Sequence, residues 1–128
     1  MRWKKERLAE KGFTLIELIL VMAILALLMA LAVPRFTAAL ENSKIQAHNA
    51  NVKMIEQAAE LAYINGVKVG DIKMQKLVDD DYLKEAPEVP KIKDISNSTY
   101  DVTATINEKN KLIITVIPAA IDKSENNP

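Results

Sequence analysis

The sequence predicts an α+β chain: a long, kinked N-terminal α-helix packed on a small antiparallel β-sheet domain. Three observations carry that prediction. Phe13–Val33 is apolar with a single acid, Glu17, and has no charged or strongly polar side chain from Leu18 to Val33. A helical period then continues, free of proline and glycine, from Arg35 to Asn65. Near the C-terminus two β-branched runs, Thr99–Ile106 and Lys111–Ile117, flank Asn107-Glu108-Lys109-Asn110, which is the pattern of a hairpin.

Phe13–Val33 is 21 residues long, roughly 31 Å as a helix and therefore about the thickness of a bilayer core. Pro34 follows it directly; proline removes one backbone bond and bends a helix. Beyond Pro34 the apolar residues Ile45, Val52, Ile55, Ala59 and Ala62 recur on one side, flanked by Met54, Ala58 and Leu61. Gly66 and Gly70 break the pattern. A single rod over Phe13–Asn65 would be roughly 80 Å long, apolar all round in its first half and striped in its second. Asp71–Leu83 fits a brief helix with Asp71 as N-cap and Ile72, Leu77 and Val78 on its apolar side. Ala86–Pro90 reads as a loop, Pro118 ends the second strand, and Asp122–Pro128 is a polar tail. The part after Gly66 is too small to build a core alone, so the helix stripe is expected to dock on the hairpin.

The formal charge is zero, but it is unevenly distributed. Residues 1–12 carry five basic side chains (Arg2, Lys4, Lys5, Arg7, Lys11) against Glu6 and Glu10; the remainder carries 12 basic and 15 acidic groups. A basic head before an apolar run is a targeting pattern. The positive-inside rule keeps such a head cytoplasmic and sends the rest outside. After Gly66 there are nine basic and eleven acidic residues, so the charge gives no support for DNA binding. The chain has no cysteine, which excludes disulfides and thiolate metal sites.

Glu17 is the most informative residue. A carboxylate within an apolar segment costs about 2.5–3.5 kcal/mol or more in a bilayer and marks a functional site by default. The expected partner is a cation on another chain.

Lys11-Gly12-Phe13-Thr14-Leu15-Ile16-Glu17, the apolar run and Pro34 together resemble the N-terminus of a type IV prepilin. That superfamily includes adhesive and twitching pili, competence pili and type II secretion pseudopilins. The resemblance is close over Lys11–Arg35 and architectural beyond it. It implies a leader over 1–12, cut from the chain by a prepilin peptidase between Gly12 and Phe13. It also implies N-methylation of Phe13, and Glu17 pairing with the amino terminus of a neighbouring subunit. Residues 13–34 would be the membrane and filament-core helix, with Pro34 as the helix-distorting proline, and 35–128 the small α+β globular domain. The implied partners are identical or homologous pilins, the peptidase, an inner-membrane assembly platform, and lipid before assembly. The implied places are the cytoplasmic membrane, as a single-pass precursor, and then a surface filament. The resemblance leaves open a secretion pseudopilin or a DNA-uptake pilus subunit. Leu77–Pro87 resembles the link between helix and sheet in pseudopilins and Gram-positive competence pilins. The disulfide-bounded loop of many Gram-negative pilins is impossible here, since no cysteine exists.

Rival readings explain less. Ala30-Leu31-Ala32 could be a secretory cleavage site, but the uncharged run of 16 residues exceeds the usual stretch of about 7–15 and leaves Glu17 without a role. A plain single-pass anchor leaves it unexplained too. His48, the only histidine, lies on the helix stripe and has no second histidine or cysteine with which to hold a metal; it reads as a packed, hydrogen-bonded core residue. Asp79-Asp80-Asp81 reads as a solvated helix end rather than a calcium site, and Asp94, Asn97 and Asp101 form another oxygen-rich stretch. Asn97-Ser98-Thr99 fits a glycosylation acceptor. No nucleophile elbow, phosphate loop or paired carboxylate is present, so the reading is non-enzymatic, without cofactor or metal.

Overall fold

The computed structural model describes residues 11–122. In chain order the elements are α1 (Leu15–Ile64), a 3-10 turn (Val69–Asp71), α2 (Met74–Asp79), β1 (Asp101–Ile106) and β2 (Leu112–Ile117). The α+β class is as expected. The boundary between two compact units falls after Ala38, and α1 contributes to both.

In the first unit, α1 continues through Pro34. Proline has no N–H to offer the preceding turn. One turn on, the Thr37 hydroxyl donates to the Val33 carbonyl at 3.0 Å, the backbone-directed bond that serine and threonine make inside helices. The apolar side chains from Leu18 to Val33 are exposed throughout.

In the second unit the predicted stripe becomes the core. His48, Val52, Ile55, Ala58, Ala59 and Ala62 of α1 are buried. The hydrophobic members of that stripe pack with Ile72, Leu77, Leu83, Val89, Tyr100, Val102, Ala104 and Val116. Gly66 ends α1 by a left-handed cap: its φ is 92°, its N–H reaches the Tyr63 carbonyl, and the Val67 N–H reaches Ala62, both at 3.0 Å. That pair of bonds is a Schellman motif, and it satisfies carbonyls the helix would otherwise leave open.

The expected helix over Asp71–Leu83 is shorter and starts later. Asp71 closes the 3-10 turn, Ile72 is extended and fully buried, and Lys73 is the cap of α2. Driving Ile72 into the core takes its backbone out of helical geometry, and Asp71 is thereby no N-cap. Asp79–Asp81 is an exposed helix end, as expected: Asp79 accepts from Gln75, Asp80 pairs with Lys76 at 2.8 Å, and Asp81 turns with φ 60°.

β1 and β2 pair antiparallel, with Asp101 opposite Ile117 and Ile106 opposite Leu112. Asn107 organises the turn, its side chain accepting from the Lys109 and Lys111 N–H groups. Val102 and Val116 face each other on the buried side. Thr99 lies outside β1 and forms an isolated bridge with Glu88.

Candidate functional site: the head of the apolar helix

Gly12, Phe13 and Thr14 precede α1, outside regular secondary structure and exposed. A Cβ added at Gly12 would meet nothing within 4 Å. This chain therefore does not itself require glycine there. Phe13 is 94% exposed. With Glu17, Leu18, Leu20 and Val21 it lines an open apolar cleft whose only charged member is Glu17.

Thr14 and Glu17 hold each other. The Thr14 N–H donates to Glu17 Oε2 at 2.8 Å, and the Thr14 hydroxyl donates to the same oxygen at 3.0 Å. In return the Glu17 N–H donates to Thr14 Oγ1 at 3.3 Å. This is a capping box, in which the residue before the helix and the residue three further on satisfy one another's free donors. Glu17 therefore already has a hydrogen-bond partner within its own chain. Both Thr14 bonds fall on Oε2, and Oε1 accepts from no described residue. A carboxylate also suits the helix N-terminus, where the backbone dipole is positive.

Sequence reasoning gave Thr14 no role, although Thr-x-x-Glu before an apolar run is itself the signature of a capping box. Phe13 and Glu17 line one cleft, of which Gly12 is not a lining residue, and Pro34 lies 17 residues further along α1.

Known proteins match at the same place. The family model of the prokaryotic N-terminal methylation motif matches residues 7–33. Two fimbrial proteins of Pseudomonas aeruginosa are each 36% identical to the chain over 61 residues, 48% of this chain and 40% of theirs. These matches support the type IV prepilin class for the N-terminal part of the chain. The match spans about two fifths of the length of those relatives. No solved structure matches it.

By length and composition, α1 is long and apolar enough to cross a membrane. Among the described residues, no group of three or more histidine or acidic side chains is placed to hold a metal ion.

His48 is a core residue, as expected. It is fully buried, with Nδ1 at 2.8 Å from the Tyr100 hydroxyl and Nε2 at 2.8 Å from the Ala119 carbonyl. One tautomer serves both, with Nε2–H donating to Ala119 and Nδ1 accepting from Tyr100. Its ring stacks on Tyr100, centroids 5.6 Å apart. Beside it, the Asn49 amide donates to the Ile121 carbonyl and accepts the Ile121 N–H, both at 2.8 Å. The two residues thus fasten the segment after β2 to α1. Burial pushes the Tyr100 phenol above its ordinary pKa, partly opposed by the hydrogen bond from Asn51.

Proposed function

We propose that the chain is the structural subunit, the pilin, of a type IV pilus-like filament. The supporting observation is a single carboxylate, held in its own helix cap, at the head of an apolar helix surface that no described residue covers. In this reading the precursor sits in the cytoplasmic membrane with its basic head inside. A prepilin peptidase cuts between Gly12 and Phe13. Cleavage removes the basic head and creates an ammonium at Phe13, which is then N-methylated.

Polymerisation then buries the apolar surface of α1 against identical or homologous subunits, guided by an inner-membrane assembly platform. Glu17 Oε1 is the free acceptor to which the Phe13 ammonium of a neighbouring subunit would bind. An ion pair buried among helices is tolerable when complete and costly when one member is missing. The capping box means that the carboxylate enters this pair already oriented. The role is structural rather than enzymatic.

The test is Glu17→Leu in cells where it is the only pilin. Membrane insertion and cutting at Gly12 should persist, because the segment becomes more apolar. Filaments in sheared surface fractions should fall to few or none, since each lost contact leaves an ammonium unpaired at roughly 3–5 kcal/mol. Normal filament yield would refute the pairing.

A further inference from the structure

Of the chain's asparagines, only Asn97 heads an Asn-x-Ser/Thr triplet, Asn97-Ser98-Thr99. The filament reading gives that triplet no part. It lies in a loop over 88–99 that closes on itself before β1. Glu88 and Thr99 pair as an isolated antiparallel bridge, and the Val89 N–H bonds to the Ser98 carbonyl at 3.4 Å. The triplet is the returning arm of this loop, and Asn97, Ser98 and Thr99 are all exposed.

Asn97 differs from the asparagines that hold the fold. Asn49 clasps Ile121, Asn51 reaches Glu88 and Tyr100, and Asn107 organises the hairpin turn. The Asn97 carboxamide has no hydrogen-bond partner among the described residues, so folding asks nothing of it and its nitrogen is open to reaction. Asn97 also lines a cleft of about 520 Å³. Val89, Pro90, Ile92 and Ile95 form the apolar part of that cleft, and Ser96 and Asn97 add polar groups. Its volume is within the roughly 300–1,000 Å³ of small-ligand sites, which likewise combine an apolar lining with a few polar groups. A pyranose ring carries the matching mixture, a C–H face with a rim of hydroxyls.

We infer that Asn97 is an N-glycosylation acceptor, and that the first sugar attached to it rests in the cleft of the 88–99 loop. An Asn-x-Ser/Thr triplet is the acceptor signature, and it acts from a surface loop of an exported domain. The inference rests on the proposed function in one respect, that the second unit lies outside the cytoplasmic membrane. The co-substrate class is an oligosaccharide carried on a lipid diphosphate. In the transfer the Asn97 amide nitrogen attacks the anomeric carbon. A C–N bond forms and the C–O bond to the diphosphate breaks. The lipid diphosphate leaves with the electron pair, and the amide nitrogen gives up one proton. The Thr99 hydroxyl, two residues on, is the feature by which a transferase selects this asparagine. The product places a bulky, hydrophilic group over the loop.

The test uses the full chain isolated from the cells that make it. Trypsin releases Asp94–Lys109, and electron-transfer fragmentation leaves a sugar on the residue that bears it. The peptide should be heavier by whole sugar residues, carried on Asn97. Asn97→Gln and Thr99→Ala should each abolish the modified peptide, whereas Thr99→Ser and Ser98→Ala should retain it. Seating in the cleft is read by amide hydrogen exchange at Val89 and Ile95, whose N–H groups bond within the loop. Exchange there should be slower in the glycosylated chain than in Asn97→Gln, and equal exchange overturns the seating. A bare Asn97, a sugar on Ser96, Ser98 or Thr99 in its place, or a sugar that survives Thr99→Ala overturns the acceptor. The same digest shows where the chain begins. A chain cut to Phe13 with a bare Asn97 overturns this inference alone, and a glycosylated chain that still begins at Met1 overturns the proposed processing alone.

Discussion

His48→Phe tests the buried polar pair that fastens α1 to the end of the sheet. Phenylalanine keeps a ring stacked on Tyr100 but removes both nitrogens. The Tyr100 hydroxyl then loses its 2.8 Å acceptor and the Ala119 carbonyl its 2.8 Å donor. A buried polar group left without a partner costs about 1–3 kcal/mol. Tyr100 is buried, so its share applies nearly in full; Asn51 Nδ2, 3.5 Å away, donates to the phenol oxygen and offers its proton no acceptor. Ala119 is exposed, and water can replace much of its lost bond. The expected net loss is therefore about 2–3 kcal/mol. For a unit of this size that lowers the melting temperature by roughly 10–20 °C. The measurement is near-ultraviolet circular dichroism of the full chain in detergent, which follows the Tyr100 environment rather than helix content. Removing both partners costs less than orphaning one, so His48→Phe/Tyr100→Phe should be more stable than His48→Phe alone. Two results would refute the reasoning: a single variant that melts with wild type, or a double variant that melts below the single one.

Three further outcomes follow from the same core. Ile55→Asp places a charge at a fully buried position with no cation near it in the core cluster and should unfold the second unit, seen as loss of its cooperative melt. Gly66→Ala meets no steric obstacle but must hold φ 92°, so it should cost about 1–2 kcal/mol in urea unfolding. Because the Tyr100 pKa is raised in the folded chain from its ordinary 10.0, folding favours the protonated phenol. That contribution is whole below pH 10, the unfolded value, and is lost as pH rises through the folded value. Wild type should therefore lose stability above pH 10 more steeply than Tyr100→Phe, as read by melts across that range.

What was legible in the sequence was what periodicity records. The stripe Val52–Ile55–Ala59–Ala62 and the alternation of the hairpin each repeat a physical spacing, and each lies where that spacing puts it. The cap of α2 was not legible, because Asp71 has the right chemistry for a cap and the burial of Ile72 overrides it. Nor was the Asn49–Ile121 clamp, which joins residues 72 apart by one side-chain amide and leaves no pattern in the chain. At the candidate site Glu17 announced itself by charge alone among apolar neighbours. Its cap by Thr14 was written in the Thr-x-x-Glu spacing, yet a search for a distant cation passes over a partner three residues away.

That nearby partner changes the energetics of the proposed assembly. A bare carboxylate would make the cost of burial in lipid the whole driving force for pairing. Here Thr14 already supplies two hydrogen bonds to Oε2, so the monomer is less strained and the gain on docking is smaller. What docking adds is a charge partner at Oε1, and with it geometric selection, since the capping box holds the carboxylate in one orientation relative to α1. Thr14 would then serve register more than strength. Under the proposed function, an isosteric Thr14→Val chain keeps its negative charge and its N–H bond to Glu17 but loses the hydroxyl that fixes the rotamer. Its filaments should form and be more easily sheared apart, in contrast to the near absence expected for Glu17→Leu. Equal defects in the two variants would mean that the charge and its cap act as one unit, and that orientation cannot be separated from attraction at this site.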